Sequence, residues 1–73
     1  MRFQRIKDLR EYHKYTLKEF SKILGLNYRT YAYYESGERL MPHEVLIQIA
    51  DFFNCSTDYL YGRTDDLKPF KED

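Results

Sequence analysis

The stretch TLKEFSKILGLNYRTYAYYESG contains two helix starts and two helix stops. Thr16 and Glu19 have the spacing of a capping box, in which each side chain accepts a hydrogen bond from the other residue's backbone amide. Gly25 ends this first helix, Asn27 is a good N-cap for a second one, and Gly37 ends that. The connection GLN is short enough to force a sharp angle between the two helices.

Three further helices are predicted by the apolar spacing on either side of this stretch. The first is RFQRIKDLREYHK, the fourth is PHEVLIQIADFFN, and the fifth is STDYLYG, capped by Ser56 or Thr57 and ended by Gly62. The inward residues expected in these helices are Phe3, Ile6, Leu9 and Tyr12, then Val45, Leu46, Ile49, Phe52 and Phe53, then Leu60 and Tyr59. Five short helices with tight connections predict an all-α fold.

Composition limits the chain to one small domain. Its 73 residues are 42% hydrophobic and 18% aromatic, enough to fold without disulfides or metal. We expect the domain to cover residues 1–62 and the polar, non-periodic residues 63–73 to form a flexible tail. Cys55 is the only cysteine, and the sequence has no signal peptide or membrane span, which predicts a cytoplasmic protein with no membrane partner.

No combination of residues indicates an enzyme. The acidic residues are scattered, and neither a glycine-rich phosphate loop nor a nucleophile motif is present. His13 and His43 lie in different segments without a cysteine or carboxylate at ligand spacing, so metal binding is not expected. We therefore expect no catalytic residues, no cofactor and no small-molecule substrate.

Charge is distributed unevenly along the chain, although its net value is zero. Residues 1–39 carry nine basic and five acidic side chains, whereas residues 40–73 carry three basic and seven acidic ones. Such a polarised chain can present a basic surface to nucleic acid, but ordinary solvated helix faces give the same count. Charge alone leaves both interpretations open.

The two capped helices around GLN have the pattern of a helix-turn-helix, whose second helix can enter a DNA major groove. Ser21 supports this because a small side chain lets the helices approach closely. Over residues 5–62 the chain carries, in order, LR, TLKEFS with LGL, YESGER, LIQIADFFN and STDYLYG. In these stretches it resembles the Cro and lambda-repressor type of helix-turn-helix regulator, the XRE family. The resemblance implies a five-helix lambda-repressor-like DNA-binding domain with its helix-turn-helix at about 16–36.

The tyrosines of the third helix, residues 28–36, divide between two faces. The resemblance makes this the recognition helix and places Tyr31 and Tyr34 at its two core-packing positions. Its opposite face, which meets base edges in the family, carries Tyr28, Arg29, Ala32 and Tyr33. A tyrosine hydroxyl can hydrogen-bond a base or phosphate, and an arginine can bind guanine through two hydrogen bonds. A solvated surface rich in tyrosine is the alternative for this group.

Phosphate contacts are expected from residues around the recognition helix. Asn27, Thr30 and the amides at the start of that helix can bind phosphate oxygens, as can the amide of Leu17. Arg39, in the loop after the helix, is a candidate for a phosphate clamp. Lys18 is another, although a solvated charge is an equal alternative there.

Leu17 departs from the family pattern, in which glutamine is usual at this position. The leucine side chain cannot donate a hydrogen bond to phosphate, but it can touch a sugar or a thymine methyl group. An apolar DNA contact and a minor packing role are both open for Leu17. The resemblance also implies that Arg10 pairs with Glu35 and braces the recognition helix.

The resemblance implies a sequence-specific transcriptional regulator that binds double-stranded DNA. We expect a repressor of the phage, mobile-element or restriction-control kind, binding an inverted repeat as a homodimer. The dimer surface in the family often involves the last helix and the segment after it, here Phe53, Tyr59, Tyr61, Leu67 and Phe70. The rival hypothesis is an antitoxin-like or adaptor module that keeps the fold but binds protein, which zero net charge and exposed tyrosines also suit.

Overall fold

The computed structural model describes residues 2–68, and this part of the chain forms five α-helices. They are α1 (Gln4–Tyr12), α2 (Leu17–Leu24), α3 (Tyr28–Ser36), α4 (His43–Phe53) and α5 (Thr57–Tyr61). The predicted all-α, five-helix class is therefore confirmed. In the described part of the chain, none of the helices combines the length and the apolar character needed to cross a membrane.

The predicted caps of α2 and α3 are present. The Thr16 hydroxyl accepts a hydrogen bond from the Glu19 amide at 3.1 Å, and the Thr16 amide donates to the Glu19 carboxylate at 2.9 Å. Hydrogen bonding from the Thr16 amide is the main reason that the pKa of Glu19 lies below its usual value. Gly25 ends α2 with a φ of 73°, and the Asn27 side chain accepts from the Arg29 amide at 2.9 Å. The turn between the helices is thus defined at both ends.

The core is built around an aromatic pair from the two helices of the helix-turn-helix. Phe20 in α2 and Tyr31 in α3 are fully buried, and their ring centroids lie 5.4 Å apart. The Phe20 ring also stacks on Phe53 of α4 at 5.3 Å. Such contacts are worth ~0.5–1.5 kcal/mol each beyond the burial of apolar area. Ser21 is buried as well, which fits the expected need for a small side chain in α2.

Two aromatic residues predicted to lie inward are exposed. Tyr12 is 79% exposed, because a three-residue spacing turns away from one helix face by ~60° at each step. Arg10 takes the buried position on that face instead. Phe52 is 43% exposed, although its ring contacts Tyr15 edge-on with centroids 5.8 Å apart. Tyr34, predicted to be in the core, is only half-buried.

The segment that follows α5 runs back along the protein over residues 63–68. The Arg5 guanidinium donates a hydrogen bond to the Thr64 carbonyl, which ties this segment to α1. The rest of the predicted tail, residues 69–73, lies outside the described residues, and so does Phe70, which was expected at the dimer surface.

Candidate nucleic-acid interface

α3 has a buried face and an exposed face. On the buried face, Tyr31 is 0% exposed and Glu35 is 6% exposed. On the opposite face, Tyr28 and Tyr33 are 38% and 37% exposed, and Arg29 is exposed beside them. Tyr31 therefore lies inward as predicted, and three of the four residues expected to face DNA bases are exposed, while the fourth, Ala32, is half-buried.

A buried network holds α3 against α1. The Arg10 guanidinium donates two hydrogen bonds to the Glu35 carboxylate, at 3.0 and 3.1 Å, which gives a bidentate ion pair. The Tyr31 hydroxyl donates to the same carboxylate at 2.7 Å, and Arg10 also donates to the Tyr15 carbonyl at 2.8 Å. The structure thus contains the predicted bracing pair and adds Tyr31, whose polar role was not predicted from the sequence.

The surroundings of this network shift the pKa values of Arg10 and Tyr31. Hydrogen bonding to Glu35 raises the pKa of Arg10 above its usual value. Burial, followed by the hydrogen bond to Glu35, raises the pKa of Tyr31 far above its usual range. Arg10 therefore stays charged and Tyr31 stays neutral at physiological pH, so both remain donors to the carboxylate.

The N-terminal end of α3 gathers two cations around one phenol. The Lys18 ammonium and the Arg29 guanidinium carbon lie 5.1 and 6.0 Å from the Tyr28 ring centroid. Arg29, by hydrogen bonding and charge, and then Lys18 lower the pKa of the Tyr28 hydroxyl. Asn27 uses its side-chain oxygen as the helix cap, and Thr30 lies half-buried in the first turn. Cations, hydroxyls and helix-start amides can together bind phosphate and base edges here.

The C-terminal end of α3 has a second tyrosine and cation pair. The guanidinium carbon of Arg39 lies 4.8 Å from the Tyr33 ring centroid. The Tyr33 carbonyl accepts hydrogen bonds from the amides of Gly37 and Arg39, both at 3.1 Å, and from the Ser36 hydroxyl at 3.2 Å. The loop that carries Arg39 is therefore tied to the last turn of the helix.

A groove of about 290 Å³ lies beside the exposed face of α3. Leu17 and Ala32, both half-buried, line it together with Tyr33. Leu17 also packs against the core, and its amide, at the first position of α2, has no acceptor within the helix. Arg2 and Lys7 line the same groove, although neither was predicted as a site residue. The excess of basic residues at the start of the chain was the available signal for them.

The structure brings the nine predicted site residues onto three adjacent segments. These are the start of α2, α3 with its N-cap residue, and the loop after α3, which carry Leu17, Lys18, Asn27, Tyr28, Arg29, Thr30, Ala32, Tyr33 and Arg39. α2 and α3 are two short helices joined by a tight turn. The buried face of α3 is held by the Arg10 and Glu35 pair, and its exposed face lies next to basic side chains. This arrangement defines a helix-turn-helix DNA-binding domain.

Comparison with known proteins gives the same class. The family model described as helix-turn-helix matches residues 6–60. The chain therefore belongs to the helix-turn-helix regulators of the XRE type, and the resemblance found in the sequence is confirmed. No solved structure matches the chain with statistical significance.

Several curated relatives carry the name of HTH-type transcriptional regulators. In Bacillus subtilis (strain 168), AnsR is 38% identical over 63 residues, which are 86% of this chain and 54% of that protein. YobD is 33% identical over 66 residues, 90% of this chain and 59% of that protein. ImmR is 30% identical over 70 residues, 96% of this chain and 55% of that protein. The chain thus spans a little more than half the length of these relatives.

Proposed function

We propose that the protein is a cytoplasmic repressor that binds an inverted-repeat operator as a homodimer, with α3 in the major groove. The observation that carries this proposal is the accessible face of α3, where Tyr28, Arg29 and Tyr33 project from a helix braced by the buried Arg10 and Glu35 pair. A fixed helix with polar and cationic side chains in front is what contact with base edges requires.

In this proposal the flanking residues position the helix on the DNA backbone. Lys18 at the start of α2 and Arg39 after α3 would bind phosphates on either side of the groove, with the amides at the start of α3 between them. Leu17 and Ala32 would meet sugar or thymine methyl groups. These contacts fix the register of α3, and the base-edge contacts supply the sequence preference.

A homodimer would place two copies of α3 about one helical turn of DNA apart, ~34 Å. The surface proposed for the dimer contact lies around α5 and the segment that follows it. Tyr61 and Leu67 are 36% and 44% exposed there, while Phe53 and Tyr59 are half-buried. The family resemblance supports this choice of surface, and the exposed apolar side chains on it are available for a contact between two copies.

The second candidate function is a protein-interaction module. The specific observation in its favour is that the accessible face of α3 is rich in tyrosine, which is a common anchor at protein interfaces. We rank it second because Tyr28 and Tyr33 each lie against a cation, and such a surface also attracts phosphate.

The proposal is tested by selecting duplexes from a random library with the purified protein at near-physiological salt. We expect the retained sequences to contain an inverted repeat with half-sites about ten base pairs apart. Enrichment of a single half-site would support sequence-specific DNA binding but contradict binding as a homodimer. Retention without any enriched motif would contradict sequence-specific binding and direct the search to protein partners.

Arg29 and Arg39 are expected to affect binding in different ways. Arg29→Ala should weaken binding to the selected operator by ~1–3 kcal/mol and relax the preference at one base position. Arg39→Ala should weaken binding to all sequences alike, because a phosphate contact carries no sequence information. Titration of the operator and of its single-base variants measures both effects. Equal, sequence-independent losses from the two changes would remove Arg29 from the base-contacting residues.

A further inference from the structure

The exposed tyrosines of α3 do not lie alone on the surface. Arg39 lies over the Tyr33 ring at 4.8 Å, and Lys18 lies over the Tyr28 ring at 5.1 Å. An arginine or lysine over the face of an aromatic ring is attracted by the electron density of that face. Both cations are among the residues expected to contact phosphate, so each end of α3 pairs a tyrosine with a candidate phosphate contact.

The pairing of Tyr33 with Arg39 is supported by the backbone as well as by the side chains. The Arg39 amide donates to the Tyr33 carbonyl at 3.1 Å, and the Gly37 amide and the Ser36 hydroxyl bind the same carbonyl. Gly37 makes this close turn possible with a φ of 87°. The loop after α3 is therefore anchored to the Tyr33 carbonyl, and it places the Arg39 guanidinium over the ring of the same residue.

Arg39 also lacks a competing partner in the described part of the chain. Within residues 2–68 the ion pairs are those of Arg5 with Asp65 and of Arg10 with Glu35, so no carboxylate there neutralises Arg39. A cation that is positioned by a ring and not by a carboxylate does not have to give up an ion pair when it binds an anionic ligand.

From these contacts we infer that Tyr33 is a positioning residue, whose ring holds the Arg39 guanidinium in place for a DNA phosphate. This inference rests on the proposed DNA-binding function and changes the role of Tyr33 from a base contact to a support for a phosphate contact. The gain is entropic: a flexible arginine loses side-chain freedom when it binds, and a preformed stack removes part of that cost in advance.

The stack can be tested in the free protein by NMR. The ring current of Tyr33 should shift the side-chain methylene protons of Arg39 upfield. We expect this shift to persist in Tyr33→Phe, which keeps the ring, and to disappear in Tyr33→Leu, which removes it. An Arg39 side chain with random-coil shifts in the wild-type protein would overturn the inference, whatever the DNA affinity proves to be.

The consequence for binding is tested with the selected operator and a double-mutant cycle. Tyr33→Leu should weaken binding about three- to tenfold for all sequences alike, and Tyr33→Phe should bind nearly as well as wild type. The Tyr33→Leu, Arg39→Ala double variant should bind no more weakly than Arg39→Ala alone, since the ring acts through the arginine. Arg39→Ala should also reduce the salt slope of binding, whereas Tyr33→Leu, which keeps the charge, should leave it nearly unchanged.

The results that would contradict the role of Tyr33 differ from those that would contradict the proposed function. If Tyr33 contacts a base itself, Tyr33→Phe will change the preference at one position, and the losses from Tyr33→Leu and Arg39→Ala will multiply. Arg63→Ala is the control for an arginine near a tyrosine ring, because Arg63 is exposed, lies 5.9 Å from the Tyr61 ring and is not a proposed DNA contact. Since Tyr61 lies on the proposed dimer surface, this variant is compared with the wild type at equal dimer content. Failure of the wild-type protein to retain any duplex would overturn the proposed function and this inference together, while wild-type binding with multiplying losses would overturn this inference alone.

Discussion

Replacing Glu35 with alanine is expected to lower the free energy of unfolding by about 3–5 kcal/mol. The change leaves the Arg10 guanidinium without its carboxylate partner in a place where both side chains are only 8% exposed, and an unpaired buried charge is costly. It also removes the acceptor of the Tyr31 hydroxyl. A domain of this size has a total stability of only about 5 kcal/mol, so much of the variant should be unfolded. Urea unfolding at 25 °C, followed by far-ultraviolet circular dichroism, measures the change.

The matched control removes all three polar groups at once. In the Arg10→Met, Glu35→Leu, Tyr31→Phe variant no charge is left unpaired, and apolar replacements of similar volume are often close to neutral. We expect this triple variant to be more stable than Glu35→Ala, although the Tyr15 carbonyl loses the donor that Arg10 supplies. A loss below ~1 kcal/mol for Glu35→Ala would show that water reaches Arg10, and that the pair does not brace α3 in the way the geometry indicates.

The fold was predictable because its boundaries depend on local chemistry. The capping box of Thr16 and Glu19, the Asn27 cap and the left-handed glycines are each set by residues a few positions apart. The exposure of Phe52 was not predictable in this way. Its place on α4 matches an inward stripe, but the neighbouring helices leave that side partly uncovered, and such packing depends on residues distant in the sequence.

The candidate site also has features that could be predicted before the structure and features that could not. The family resemblance separated Tyr31 from Tyr28, and the buried Tyr31 and exposed Tyr28 agree with it. Helical periodicity alone could not do so, because Tyr28 and Tyr31 have the same three-residue spacing as Tyr31 and Tyr34. The contact of Arg39 with Tyr33 was not predictable, since it depends on the path of the loop after Gly37. The hydrogen bond from Tyr31 to Glu35 has helical spacing, but a tyrosine that fits the core pattern gives no sign of a polar partner.

Affinity for the selected operator should fall by about two to three orders of magnitude when monovalent salt rises from about 50 to about 200 mM. In the proposed dimer each protomer brings Lys18 and Arg39 to phosphates, which neutralises about four phosphates. Counting Arg29, which lies with Lys18 beside the Tyr28 ring, gives about six. Each such contact releases counterions and adds ~0.9 to the slope of log affinity against log salt. Fluorescence anisotropy of a labelled operator across this salt range measures that slope.

The same measurement separates the two candidate functions, because they differ in where their binding energy arises. Binding of a protein partner through apolar tyrosine contacts would change little over this range of salt, since short-range burial is weakly screened. The Lys18→Ala, Arg39→Ala variant should lower the slope by about four in a dimer, and Arg63→Ala, compared at equal dimer content, should leave the slope unchanged because Arg63 is not a proposed phosphate contact. A flat salt dependence for the wild type, or an equal loss of slope in Arg63→Ala, would contradict the phosphate contacts assigned to the two ends of α3. An equal loss of slope in Arg63→Ala would mean that the protein is attracted to DNA by its overall charge distribution, whereas a flat salt dependence would mean that phosphate contacts contribute little to binding.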